Sequence, residues 1–107
     1  MNVRHIKSDD DFKGTISSGN SFVMIHKSGC PFCEKAMPWV EEVCAAGGRS
    51  DVVIATANKD DIPNTMEVFQ VQMYPTFVQI KDGKVLQTFF GDTVENKVKD
   101  FLNCSFD

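Results

Sequence analysis

Cys30-Pro31-Phe32-Cys33 decides how this chain is read. It follows an apolar run, Ser21-Phe22-Val23-Met24-Ile25, and opens a stretch patterned as a helix. Two thiols so spaced at a helix start can close into a disulfide and reopen. A helix N-terminus presents unpaired N–H groups and a partial positive charge, which favour a thiolate there. A thiolate with a partner thiol close behind it is the minimum equipment for thiol–disulfide exchange. The succession of strand, Cys-x-x-Cys and helix turns a common four-residue pattern into a redox signal.

Upstream of the motif, Val3 to Ile6 patterns as a short first strand. Ser8 followed by Asp9, Asp10 and Asp11 marks a helix start, a cap and then acids that suit the dipole; that helix stops near Gly19-Asn20. Phe22 to Lys27 reads as a buried strand. Downstream, a helix runs from Pro31 to about Ala46 and stops at Gly47-Gly48. Proline suits its first turn, and Pro38 inside it should kink it. Asp51 to Ala57 is a second apolar strand, and Ile62 to Phe69 a short helix. Thr76 to Lys81 and Lys84 to Phe90 are strands joined by Asp82-Gly83, a dipeptide favoured in type I′ hairpins. Val94 to Leu102 is a last amphipathic helix, with Val94, Val98, Phe101 and Leu102 on one stripe.

The order β-α-β-α-β-α-β-β-α implies an α/β fold, a central mixed sheet covered by helices on both faces. With 107 residues and no linker or repeat, the expectation is one domain over 1–107 that buries a core without disulfides. A net charge of −4 argues against nucleic acid or an anionic membrane as partner. The apolar runs are too short to span a bilayer. Met1 to Lys7 lacks the apolar stretch of a secretory signal, and Asn103-Cys104-Ser105-Phe106-Asp107 is not an ER-retention ending. The sequon Asn103-Cys104-Ser105 therefore reads as chance. Four cysteines are too few for a disulfide scaffold, so a reducing, cytoplasmic setting is expected.

The chain resembles the thioredoxin superfamily over nearly its full length. Cys30-Pro31-Phe32-Cys33 begins what corresponds to the active-site helix, and Pro38 falls at the family's helix kink. Tyr74-Pro75-Thr76 looks like the cis-proline loop that faces the disulfide. Lys81-Asp82-Gly83-Lys84 and Gly91 resemble the final hairpin and the glycine before the last helix. The resemblance implies a thioredoxin fold. Three positions depart from it. The buried acid of thioredoxins and disulfide isomerases is Met24 here, the lysine that pairs with it in thioredoxins is Thr56, and the tryptophan before the first cysteine is Gly29. Lys27-Ser28-Gly29-Cys30-Pro31-Phe32-Cys33 looks instead like a glutaredoxin active site, but Met73-Tyr74-Pro75 and Phe90-Gly91-Asp92 leave the glutathione-holding elements incomplete. The combination is similar to some small free-standing protein disulfide isomerases.

Cys30 is expected to be the exposed nucleophile and Cys33 the buried resolving thiol. Zinc would need a second ligand pair, which Cys44 and Cys104 do not form, and His5 and His26 lack finger spacing. Pro31 and Phe32 leave backbone N–H groups facing the Cys30 sulfur and so tune the potential, with Phe32 also suited to docking. By resemblance, Tyr74 and Pro75 offer backbone groups to an extended substrate. Lys27 could stabilise a thiolate at Cys30 or attract a glutathione carboxylate, and is equally readable as an exposed strand-end lysine. His26 could exchange protons near Cys33 in place of the missing acid, or serve structure alone. Cys44 reads as a buried inert thiol and Cys104 as a thiol near the exposed end of the last helix. The implied activity is oxidation, reduction or isomerisation of protein disulfides through a mixed disulfide, by a monomer, with no metal or organic cofactor. Its competitors are a glutathione-dependent glutaredoxin and a thioredoxin-like binding module with an incidental dithiol.

Overall fold

The computed structural model describes residues 3–46, 51–91 and 93–107. Its elements are β1 (Arg4–Ile6), α1 (Asp9–Ile16), β2 (Asn20–His26), α2 (Pro31–Ala45), β3 (Val52–Asn58), a 3₁₀ turn (Lys59–Asp61), α3 (Pro63–Val68), β4 (Thr76–Lys81), β5 (Lys84–Phe89) and α4 (Glu95–Leu102). The sheet runs β1-β3-β2-β4-β5. β1, β3 and β2 are parallel, whereas β4 is antiparallel to both β2 and β5.

Strand residues alternate between faces, and here both faces are covered. Phe22, Met24, Val52 and Ile54 pack with Ala36, Val40 and Cys44 of α2 and with Val98, Phe101 and Leu102 of α4. Val23, Ile25, Ala55 and Ala57 pack on the other side with Phe12 and Ile62. This double burial is why β2 reads as an unbroken apolar run. Among the described residues, no helix is long and apolar enough to cross a membrane.

Local signals set most boundaries. Ser8 caps α1, its Oγ accepting the Asp11 N–H at 3.0 Å. Asp82 and Gly83 both have positive φ, +49° and +81°, as a type I′ turn requires. The Asp82 carboxylate also accepts the Gly19 N–H at 2.7 Å, tying the hairpin to the loop before β2. α2 continues through Pro38, whose ring lies on the exposed side. The expected stop at Gly47-Gly48 lies outside the described residues. One element differs in register: Val94 is the extended cap residue of α4, half exposed, and not part of its buried stripe. A cap residue has left the helical backbone, so the helix period no longer directs its side chain.

Asp9 reaches from α1 to α3, accepting the Thr65 N–H at 2.8 Å, the Thr65 hydroxyl at 2.7 Å and the Asn64 N–H at 3.2 Å. Burial works against ionisation of Asp9, but these three bonds outweigh it and hold the carboxyl below the usual range. Asp11 is held low first by the Arg4 guanidinium, at 2.9 Å, and then by the Lys7 N–H. A carboxyl with a lowered native pKa adds stability that is present above its unfolded pKa, about 4, and lost as pH falls through the native value. The melting midpoint by circular dichroism should therefore drop between about pH 5 and pH 2. The double variant Asp9→Asn, Asp11→Asn should show a shallower drop, and an unchanged slope would reject this assignment.

Candidate redox site

β2 delivers the chain to the loop at Lys27, Ser28 and Gly29, and Gly29 turns it with φ +73°, a backbone that side chains rarely adopt. Glycine stands at this position because of that turn. Cys30 is then the extended cap residue of α2 (φ −95°, ψ 109°). Its sulfur accepts the Cys33 N–H at 3.2 Å, and its carbonyl accepts the Glu34 N–H at 3.1 Å. Pro31 follows at the first turn, where a missing N–H removes no helical bond. The opposite wall is the loop before β4. The Tyr74–Pro75 peptide bond is cis, and the Tyr74 carbonyl accepts from the Cys30 thiol at 3.6 Å. The Thr76 hydroxyl donates to the Met73 carbonyl at 2.6 Å and fixes that loop.

Cys33 lies buried beneath the first turn of α2. Burial and the hydrogen bond to the Cys30 sulfur push its thiol up to about 12, against the pull of the Lys27 N–H and the Lys27 charge. The site therefore holds one sulfur at a helix start and a second that keeps its proton. Such a pair can attack a disulfide with the first sulfur and resolve the product with the second, provided something takes the second proton.

A thioredoxin family model matches residues 3–104. The chain belongs to the thioredoxin family. It is 29% identical over 100 residues to a thioredoxin of Rhodospirillum rubrum, covering 92% of this chain and 95% of that protein. It is 27% identical over 85 residues to a thioredoxin domain-containing protein 5 homolog of Drosophila melanogaster, covering 78% of this chain but 20% of that protein. The chain thus spans about a fifth of the length of that relative. The crystal structure of Malassezia sympodialis thioredoxin superposes with a TM-score of 0.86 at 20% identity, covering 94% of this chain and 88% of that one. Thioredoxin-family membership supports thiol–disulfide oxidoreductase as the broad class of activity.

Within this thioredoxin fold the expected site residues take definite places. Cys30 to Cys33 open α2, and the motif meets the cis Tyr74–Pro75 loop where the Cys30 thiol reaches the Tyr74 carbonyl. Cys30 is not exposed, as the sequence suggested, but only 3% exposed, because its thiol folds inward between the α2 start and the Tyr74 carbonyl. Phe32, two residues on, is 58% exposed, and Met73, beside Tyr74 in the loop before β4, is 47% exposed. The Lys27 ammonium stands 5.4 Å from the centre of the Tyr74 ring. Met24 and Thr56 pair across β2 and β3, both buried, and the Thr56 hydroxyl meets His5 Nδ1 at 2.7 Å. Cys44 is in the core, and Cys104 is half-buried, receiving the Gln87 side-chain N–H at 3.2 Å.

Proposed function

We propose that this protein is a dithiol–disulfide oxidoreductase for protein substrates, with disulfide isomerase or oxidase activity. The observation that carries the reading is the pairing of Cys30, whose sulfur accepts a helix N–H at 3.2 Å, with a buried, proton-holding Cys33 directly behind it. The Cys30 thiolate attacks a substrate disulfide, forming a Cys30–substrate S–S bond and releasing one substrate thiolate. Cys33 then attacks the Cys30 sulfur, forming the Cys30–Cys33 bond and releasing the second substrate thiolate. The substrate is reduced by two electrons and the protein is oxidised by two; the reverse sequence oxidises a substrate dithiol. The Cys33 N–H is directed at the Cys30 sulfur, the atom that makes and breaks the bond to the substrate. Phe32 and Met73 supply an apolar rim for an unfolded substrate segment, and the Tyr74–Pro75 backbone supplies its polar partners. We place this activity in a monomer in a reducing, cytoplasmic setting.

Cys30→Ser should bring dithiothreitol-driven reduction of insulin down to the rate of buffer alone. A hydroxyl lacks both the acidity and the sulfur that the exchange requires. A Cys30→Ser protein retaining more than about a tenth of the rate would reject the nucleophile assignment.

A further inference from the structure

We propose that His26 takes the proton from Cys33 as Cys33 attacks the mixed disulfide. The proposal rests on the dithiol reading above and deepens it by naming the base that the second step needs. A thiol is a poor nucleophile until it loses its proton. Burial raises the pKa of Cys33, so little of it is ionised at neutral pH without a base. Met24 and Thr56 are buried and paired across β2 and β3, and neither a thioether nor a hydroxyl is a useful base.

An open cleft of about 480 Å³ has Cys33 in its wall. Four titratable side chains share its wall with Cys33: His26, Lys27, Glu34 and Glu41. An ammonium such as that of Lys27 has no lone pair to offer. Glu34 and Glu41 lie on the exposed side of α2, and a solvated carboxylate is too weak a base to draw off a thiol proton efficiently. A neutral imidazole has a nitrogen lone pair and a basicity suited to neutral pH.

The fold keeps His26 in that state and in that place. His26 ends β2, opposite Asn58 of β3 and on the α2-facing side with Phe22 and Met24, by the period of the strand. Burial leads in moving its pKa below the ordinary 6.5, and the charge of His5 on β1 adds to that. Asp61, on the 3₁₀ turn, pulls the other way without reversing it. The ring is therefore neutral at pH 7. The Asn58 side chain donates to the Ser28 hydroxyl at 3.2 Å and fixes the rim of the cleft between His26 and Gly29. The step balances as follows. The Cys33 proton passes to His26, the Cys33–Cys30 S–S bond forms, and the Cys30–substrate bond breaks. The leaving thiolate takes its proton from His26 or, through the open cleft, from water.

Stopped-flow reaction of the reduced protein with 5,5′-dithiobis(2-nitrobenzoate) separates the two sulfurs. A first release of thionitrobenzoate reports attack by Cys30, and a second reports resolution by Cys33. His26→Gln, which stays polar, should leave the first phase unchanged and slow the second by about 10- to 100-fold at pH 7, within the usual contribution of a general base. The deficit should shrink as pH rises towards the range where Cys33 ionises unaided. In a His26→Gly protein, added imidazole should restore the second phase. Overturning results are a second phase at the unsubstituted rate, one slowed by the same factor at pH 7 and pH 10, or one that imidazole leaves unchanged. Absence of the first phase in the unsubstituted protein would instead reject the dithiol reading, and this proposal with it.

Discussion

Replacing Cys33 by serine is expected to turn the protein into a trap. The Cys30 sulfur keeps its place at the start of α2, with the residue-33 N–H directed at it, because that bond is made by the backbone. Attack on a substrate disulfide therefore proceeds. The second step does not, since a serine oxygen cannot form the S–S bond that would expel the substrate. Protein substrates should accumulate joined to Cys30, visible as added mass on non-reducing gels, released by dithiothreitol, and absent from a Cys30→Ser, Cys33→Ser protein. Steady turnover of dithiol substrates should fall to background at the same time. A Cys33→Ser protein that turned over such substrates at the normal rate would show that Cys33 is not the resolving thiol. Adducts formed with oxidised glutathione, but with no protein disulfide, would favour the glutaredoxin alternative.

Phe22→Ala is expected to have the largest effect on stability. Phe22 is fully buried at the centre of β2. Its ring centre lies 5.6 Å from that of Phe101 on α4 and 4.9 Å from that of Phe106 in the segment after α4. One side chain thus joins the central strand, the last helix and the end of the chain. Removing a buried aromatic ring typically costs about 3–5 kcal/mol, from lost transfer energy and the cavity left behind. For a domain of this size that lowers the melting midpoint by more than about 10 °C. A loss below about 1 kcal/mol in urea unfolding would mean that the core closes over the gap. Phe106→Ala should have a smaller effect of the same sign, because that ring is 7% exposed.

What could be read directly from the chain shares one property: it depends on a few neighbouring residues. Ser8 with its following acids starts α1, Pro31 starts α2, and Asp82-Gly83 makes the hairpin, because caps and turns are decided by φ/ψ and by hydrogen bonds within a few positions. The apolar runs of β2 and β3 mark strands covered on both faces for the same reason: their composition is the record of that burial. Cys30 and Cys33 were legible as a pair because three residues on a helix start bring their sulfurs together. The tertiary structure alone decided the rest. Cys30 is buried because a carbonyl 44 residues away closes over it, and no spacing within the motif specifies that contact. Phe106 looks like a terminal residue in sequence and becomes core only because α4 lays its end beside Phe22. Thr56 meets His5 because β1 pairs with β3, a neighbour relation set by sheet order. His26 could be named as a strand-end histidine, but its place on the cleft beside Cys33 follows from the packing of β2 under α2. These outcomes depend on which distant surfaces bury each other, and that choice is made by the free energy of the whole core.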